Sequence, residues 1–336
     1  MNGELKNYLT NVPHVEKDAY NELSQIIDEK LKTRMITSLE RDRLFYELGV
    51  IKETGAAGIF LFALNALKGF SDGEHCFLSK ENNCFINYFL RLTSINPVKY
   101  GLPFELFFNS ERNYCTKFCF YVKRGTRERL LNNISDHYKV TQFIKGNDNG
   151  CRYFIDIADK AKIKYKKDDS GRMSYTEVTA EISAEELTMH GLFEFDVSEY
   201  ESNEIVAKDC STGEIYDEAI RTVAYKPAII SLKPFEKIDD IKEILSSTGG
   251  KLIYQEQVVA VLNRVCGLDV VTADCARKAI CTKKQNFNDK VAEILHNKYG
   301  KDGDEFFKYL LGYGLYTVSG GYVIASMKNN IKWEKG

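Results

Sequence analysis

The spacing of apolar residues up to Gly55 predicts two helices. Residues 1–37 are mostly polar, and their apolar side chains recur at the intervals of one helix face, at Leu23, Ile26, Ile27 and Leu31. We expect this first helix to lie on the surface. Ser38 offers a capping signal for a second, longer helix that Gly55 ends. The apolar stripe of the second helix is Leu44, Leu48 and Ile51.

Later stretches alternate between strand and helix patterns. Residues 56–67 are apolar almost throughout, which is typical of a buried strand or a buried helix. Large apolar side chains alternate in residues 114–122, which predicts a half-buried strand, and residues 151–157 form another. Residues 168–171 resemble a hairpin turn leading into a strand at 173–179. Periodicity therefore predicts an α+β fold class and no particular topology.

Residues 92–131 join a rigid turn to a strand and a helix. Pro97 and Pro103 restrict the backbone on either side of residues 99–101, because the proline ring fixes φ. The strand at 114–122 follows, and a helix is expected from about Thr126. The rest of the chain is interpreted around this segment.

Composition and charge narrow the class of protein. The 336 residues are 44% apolar, with 46 basic and 48 acidic side chains and a net charge of −2. A free-standing nucleic-acid-binding protein is usually more basic, although a local basic face is compatible with this balance. The sequence has no apolar run of the roughly 18 residues that a membrane span needs, and its N-terminus lacks the pattern of a signal peptide. We therefore expect a cytoplasmic protein with no membrane partner.

The cysteines favour reduced thiols over a disulfide framework. The chain has 9 of them at irregular spacing, most within apolar stretches. No pair has the C-x-x-C spacing of a zinc site, and the 5 histidines are dispersed. We predict no zinc site.

Several segments resemble the bacterial replicative polymerases, the DNA polymerase III alpha family. Residues 95–112, which contain Ile95-Asn96-Pro97 and Phe108-Asn109-Ser110-Glu111-Arg112, resemble the segment that leads into the catalytic strand of that family. Residues 249–259 resemble its G-x-x-x-Y-Q-E-Q-V-M string, and residues 273–284 and 311–326 resemble two later segments in the same order. The resemblance implies a nucleotidyltransferase-type, polymerase beta-like palm with a reduced helical fingers lobe and a largely missing thumb.

The resemblance also implies a division of the chain. We expect an N-terminal helical segment at 1–40, a palm-like domain at 41–198, a reduced fingers-like helical region at 199–310 and a C-terminal return to the palm at 311–336.

The catalytic carboxylates of the family are largely replaced. Two-metal nucleotidyl transfer needs two or three carboxylates that converge on two Mg²⁺ ions. The family motif P-D-x-D-x-D-F aligns with residues 116–122, so that its aspartates become Lys117, Cys119 and Tyr121. Only Asp196 falls on a catalytic aspartate, the third of the family. Because one carboxylate cannot hold two Mg²⁺ ions, we expect no metal site, and Asp196 is then a strand-end or capping residue.

The family's phosphate loop is also absent. Its glycine-rich loop aligns with residues 75–84, which contain no glycine, and Leu78 takes about the place of the loop arginine. The remaining candidates for nucleotide or DNA contacts, which ion pairs with acidic residues could also explain, are Arg277, Lys278, Lys283, Lys284, Lys226 and Gln255.

The resemblance therefore predicts a replication-related, polymerase III alpha-like protein that is catalytically inactive, needs no cofactor and binds DNA, a nucleotide or a replication protein. An active nucleotidyltransferase is one alternative, with Mg²⁺ held by a site rebuilt around Asp196 from Glu194, Glu177 or Asp156. The other alternative is a mobile-element decoy or inhibitor of a host replisome. The sequence leaves the oligomeric state open.

Overall fold

The computed structural model describes residues 18–78, 80–109, 118–138, 140–145, 150–156, 165–167, 173–175, 192–200, 215, 219, 233–281 and 285–328. Among the described residues, 18–200 belong to one compact unit and 215–328 to a second. The expected boundary at 198/199 lies close to this division. The expected boundary at 40/41 lies inside a helix, and the described part of the expected C-terminal segment, residues 311–328, belongs to the second unit.

The first unit contains five helices among its described residues. They are α1 (Ala19–Leu31), α2 (Ser38–Thr54), α3 (Ala57–Ala66), α4 (Phe85–Phe89) and α5 (Arg127–Ser135).

The start and end of α2 follow from its sequence. Thr37, one residue before the expected cap, is the N-cap: its hydroxyl accepts from the Glu40 amide, and the Glu40 carboxylate accepts from the Thr37 amide. This reciprocal pair satisfies two amides that the helix itself leaves unbonded. Gly55 ends the helix with a φ of 69°, as expected.

The apolar run at 56–67 is a helix. Eight of the ten residues of α3 are buried, and its sides pack against α1 and α5. Burial on nearly every side explains why the run has no polar face.

The described residues contain seven strands in two sheets. They are β1 (His75–Phe77), β2 (Phe118–Lys123), β3 (Val140–Lys145), β4 (Gly150–Asp156), β5 (Tyr165–Lys167), β6 (Met173–Tyr175) and β7 (Leu192–Tyr200). Five of them form one sheet in the order β1-β2-β7-β4-β3, in which only β2 and β7 are parallel. The antiparallel pair β5–β6 confirms the predicted hairpin, although its turn lies outside the described residues. The α+β fold class is confirmed.

The core lies against one face of β2. Phe118, Phe120 and Val122 are buried, whereas Cys119 and Tyr121 between them are partly exposed. The Phe62 ring of α3 meets Phe120 edge-on at 6.0 Å. Each fully buried phenylalanine stabilises the fold by about 1.5–3 kcal/mol. The opposite face of β2, with Cys119 and Tyr121, is therefore left for polar contacts.

The second unit is helical in its described part. Its helices are α6 (Asp239–Leu245), α7 (Gln255–Arg264), α8 (Val270–Cys281), α9 (Gln285–Tyr299), α10 (Lys301–Tyr313) and α11 (Gly320–Lys328). The expected boundary at 310/311 falls inside α10. Across both units, no described helix has the length and apolar character that crossing a bilayer requires.

Candidate functional site

Cys119 and Asp196 occupy paired positions in the two parallel strands at the centre of the sheet. In the register of β2 and β7, Cys119 is the partner of Asp196 and Tyr121 is the partner of Ser198. On its other side, Asp196 is the register partner of Arg152 in β4. Since both neighbouring strands pair with this position, Asp196 lies inside β7, and the expectation of a strand-end or capping residue is wrong.

The replaced positions on β2 lie on the strand face away from the phenylalanine core. Cys119 and Tyr121 are both partly exposed, and Cys119 forms no disulfide bond with another described cysteine. Lys117 lies outside the described residues. The structure thus brings Cys119 next to Asp196 in register, with Tyr121 two residues further along β2.

A buried carboxylate that sequence reasoning missed borders this site. Beyond the end of β1, the Cys119 N–H donates to Glu81 Oε1 over 3.1 Å, in the way that the Lys123 N–H donates to the Glu74 carbonyl. Beyond the end of β1, the Glu81 carboxylate therefore replaces a β1 carbonyl as the hydrogen-bond acceptor for β2. Glu81 is only 2% exposed. A single Glu in a polar stretch gives no signal of this burial.

The segment aligned with the phosphate loop is closed by its own side chains. Residues Lys80–Asn83 form a 3-10 helix in which Glu81, Asn82 and Asn83 are buried. The Asn82 amide donates to the Phe77 carbonyl at 2.7 Å, and the Asn83 amide donates to the Pro103 carbonyl at 3.0 Å. These amides take up backbone acceptors at both ends of the segment.

A second buried carboxylate, Glu47 of α2, holds the helix that follows this segment. Glu47 is fully buried and accepts from the Phe85 and Ile86 amides, each at 2.9 Å. Arg43 donates to it at 2.6 Å, and the Cys84 thiol donates at 3.1 Å. Burial raises the pKa of Glu47, and burial together with this carboxylate raises the pKa of Cys84. Glu47 therefore caps the short helix α4.

The opposite end of α4 is held by a cation. Arg34 donates to the carbonyls of Tyr88 and Phe89 at 3.2 and 2.9 Å, and its guanidinium lies 4.6 Å from the Tyr88 ring centroid. A carboxylate at the N-terminus and a guanidinium at the C-terminus both match the helix dipole. A five-residue helix has little stability of its own, so these side chains specify it.

The turn at residues 92–109 is anchored to α2. Arg43 donates to the Leu102 carbonyl at 3.0 Å, and Tyr46 donates to Glu105 at 2.6 Å. Asn96 donates to Glu40 at 2.6 Å. The turn that the two prolines predict is thus held by polar side chains of one helix.

The candidate basic residues of the second unit have different surroundings. Arg277 is 5% exposed and donates to Asp274 from Nη2 at 2.8 Å and from Nε at 3.0 Å. Lys278 lies 3.0 Å from the other oxygen of Asp274, and its side chain is 35% exposed. The remaining lysines, Lys226, Lys283 and Lys284, lie outside the described residues.

The Tyr-Gln-Glu-Gln string at 254–257 is largely structural. Gln257 accepts from the Ile253 and Tyr254 amides at 2.9 Å, which holds the start of α7. Glu256 accepts from the Gly320 amide at 3.0 Å, at the start of α11. Gln255 is partly exposed, and its Oε1 is buried with no hydrogen-bond partner among the described residues. Unlike Glu256 and Gln257, Gln255 therefore has no structural role that its described contacts show.

No metal-binding cluster is present in the part of the chain that the structure describes. There, no three His, Cys, Asp or Glu side chains come together as ligands.

Two family models match the chain in succession. The model of the bacterial DNA polymerase III alpha NTPase domain matches residues 14–222, more than half of the chain, and the model of the alpha subunit finger domain matches residues 216–303.

Curated relatives agree with these models. The DNA polymerase III subunit alpha of Borreliella burgdorferi is 33% identical over 125 residues, which cover 34% of this chain and 10% of the relative. That of Rickettsia prowazekii is 30% identical over 149 residues, 42% of this chain and 12% of the relative. The chain thus spans about a tenth of the length of these relatives. With both models matched in order, the chain belongs to the bacterial DNA polymerase III alpha family.

Proposed function

We propose that the first unit is a nucleotidyltransferase-type palm that no longer polymerises DNA, and that the protein acts in replication by binding. The observation that carries this proposal is the register of β2 and β7, in which Cys119 is the partner of Asp196. The alignment with the family puts two of its three metal-binding aspartates among the positions of Lys117, Cys119 and Tyr121, in or directly before β2. The paired strands support that alignment.

The residues on β2 are poor ligands for Mg²⁺. This ion requires hard oxygen ligands in octahedral geometry, whereas Cys119 offers sulfur and Tyr121 offers a phenol oxygen in place of a carboxylate. A single carboxylate at position 196 cannot balance two divalent ions. Loss of the metal ligands removes both the activated 3′-hydroxyl and the stabilised leaving group.

The closed segment at residues 80–83 also opposes triphosphate binding. A phosphate cradle needs several converging backbone amides that are free to donate. Here the buried Glu81 accepts from the Cys119 amide at 3.1 Å, so a side chain of the segment aligned with the phosphate loop already takes up a neighbouring backbone amide.

An active enzyme rebuilt around Asp196 is the second candidate. Glu194 favours it, since it lies two positions before Asp196 on β7. Asp156 does not, because it is the register partner of Leu192, four residues from Asp196, or about 13 Å along the strand. Glu81 accepts from β2 on the side away from β7, which separates it from Asp196. Glu177 lies outside the described residues.

Primer extension tests the loss of activity. The purified chain is incubated with a primer–template duplex, nucleotides and either Mg²⁺ or Mn²⁺, with an active polymerase III alpha subunit as positive control. We expect no extension by this chain. Extension that Asp196→Ala abolishes would overturn the proposal and support the rebuilt enzyme.

Binding is tested separately. Thermal unfolding is measured with duplex DNA, single-stranded DNA or a nucleoside triphosphate, each with Mg²⁺ and with a chelator. Stabilisation by DNA in the presence of chelator supports a binding module, whereas stabilisation by nucleotide that the chelator removes supports the rebuilt enzyme. Titrating the chain into the positive-control extension tests the decoy alternative, which predicts inhibition. If none of these measurements shows an effect, a binding role with DNA, nucleotide or polymerase is contradicted.

A further inference from the structure

A cavity of about 360 Å³ lies in the first unit, next to the start of β1. It is bounded by the end of α3, the residues before β1 and the segment after α4. Its apolar wall consists of Leu64, Leu67, Phe70, Leu90 and Leu92. Its polar groups belong to Ser71, Asp72, His75 and Arg91.

Arg91 has a backbone conformation that favours glycine. Its φ is 64°, and among the described residues it is the only non-glycine residue with a positive φ. It follows the end of α4, where the Leu92 amide donates to the Asn87 carbonyl at 2.8 Å in a left-handed helix-ending turn. Glycine adopts this conformation without the steric cost that a Cβ introduces. The backbone of the turn therefore gives no reason for an arginine at this position.

The cavity has opposite charges that do not neutralise each other. Asp72 and Arg91 both line it and are both exposed, and within the described residues no salt bridge joins them. The Arg91 guanidinium also has no hydrogen bond or ion pair with any other described residue. A ligand with one positive and one negative group would satisfy both side chains.

His75 adds a neutral polar group to the wall. Burial lowers its pKa, so the imidazole is uncharged near pH 7. Its Nδ1 is buried and has no hydrogen-bond partner among the described residues. Its ring lies edge-on to Phe70 at 6.2 Å. Interactions with the backbone of Arg91, Ser71 and Leu92 hold this ring in the wall of the cavity, so His75 shapes the cavity and is not assigned a ligand contact.

We infer that this cavity binds a small zwitterion with an apolar body, such as a free apolar α-amino acid. The carboxylate of the ligand pairs with Arg91, its ammonium group pairs with Asp72, and its side chain packs against the leucines and Phe70. Most small-molecule sites combine an apolar wall with a few polar groups in this way. The inference does not depend on the proposed function of the sheet.

Matched ligands test the charge requirement. L-leucine and L-phenylalanine are titrated into the full chain by calorimetry and by thermal unfolding. Leucinamide, which lacks the carboxylate, and 4-methylpentanoate, which lacks the ammonium group, are the controls. We expect saturable binding of at least one amino acid and at least tenfold weaker binding of both controls. Equal binding of a control, or no binding of either amino acid, overturns the inference.

Two substitutions test the residues. Arg91→Gly is expected to raise the unfolding midpoint of the free protein, because glycine fits the turn, and to abolish amino-acid binding. Asp72→Asn is expected to abolish the preference for leucine over 4-methylpentanoate. Lys68→Gln, which removes an exposed charge outside the cavity, should change neither property. If Arg91→Gly or Asp72→Asn binds leucine as the unaltered chain does, the assignment is wrong.

Discussion

The Glu81 carboxylate accepts a hydrogen bond from the Cys119 backbone N–H at 3.1 Å, at the point where β1 no longer pairs with β2. The contact joins the segment aligned with the family's phosphate loop to the strand aligned with its catalytic motif. Both elements are retained, and a side chain closes the space between them.

Removing this carboxylate should destabilise the first unit. Glu81→Ala leaves the Cys119 amide without its acceptor in a partly buried position, and we expect a loss of about 1–3 kcal/mol in the free energy of unfolding. Glu81→Gln retains an acceptor oxygen and should lose less. Urea unfolding followed by circular dichroism measures both. Equal stability of Glu81→Ala and the unaltered chain would show that the contact contributes nothing.

We expect Glu47 to contribute more to the free energy of unfolding than the exposed Glu53 of the same helix. Glu47→Ala leaves Arg43, two amides and a thiol without their common acceptor, which predicts a loss of about 3–5 kcal/mol. Glu53, exposed on the same helix, offers a matched control, and Glu53→Ala should change the unfolding free energy by less than about 0.5 kcal/mol. Similar losses in both variants would contradict a specific role for Glu47.

The Glu74 carboxylate should make stability depend on acid pH. Hydrogen bonds from the Ser71 amide and hydroxyl, with help from Arg129, lower the pKa of Glu74 from 4.5 to about 2. A lowered pKa means that the stabilisation is present above pH 4.5 and is lost as the pH falls through about 2. Because the group is partly solvated, we expect less than about 1 kcal/mol. The free energies of unfolding of Glu74→Gln and of the unaltered chain should differ at pH 7 and become equal near pH 2. A difference that stays constant over this pH range would contradict the prediction.

Gly303 should be intolerant of any side chain. A Cβ at this position would lie 2.1 Å from the Leu295 carbonyl oxygen of α9, so α9 and α10 would have to separate. We expect Gly303→Ala to cost about 1–3 kcal/mol. Gly312 lies in the same helix with open space around it, so Gly312→Ala should instead stabilise by up to about 1 kcal/mol. Thermal unfolding distinguishes the two, and a neutral Gly303→Ala would refute the close approach.

Arg277 and Lys278 are neighbours, but we expect them to contribute very different amounts to the free energy of unfolding. Arg277→Ala removes the buried cation next to the fully buried Asp274 and should cost about 3–5 kcal/mol, whereas Lys278→Ala removes a partly exposed cation and should cost less than about 1 kcal/mol. DNA affinity is measured on both variants under conditions where they are folded. If Arg277→Ala weakens DNA binding without changing stability, its main role is contact with DNA and not the ion pair.

Local patterns were sufficient for much of the first unit. The helix at 38–54, the end at Gly55, the strand at 118–123, the helix after Thr126 and the β5–β6 hairpin follow from apolar spacing, capping and turn residues. For 56–67, burial on all sides leaves no periodicity, so strand and helix could not be separated until the packing against α1 and α5 was known.

The sequence alone determined the family, and it predicts the replacement of the family's aspartates and the absence of its glycine loop, because these depend on residue identity and order. Only the tertiary structure decided that Asp196 lies inside β7 as the register partner of Cys119, and that Glu81 and Glu47 are buried acceptors. Such partnerships join residues 38 or more positions apart, and their energy comes from backbone amides that the fold brings to them. A sequence pattern records neither the distance nor the loss of solvent that gives these contacts their strength.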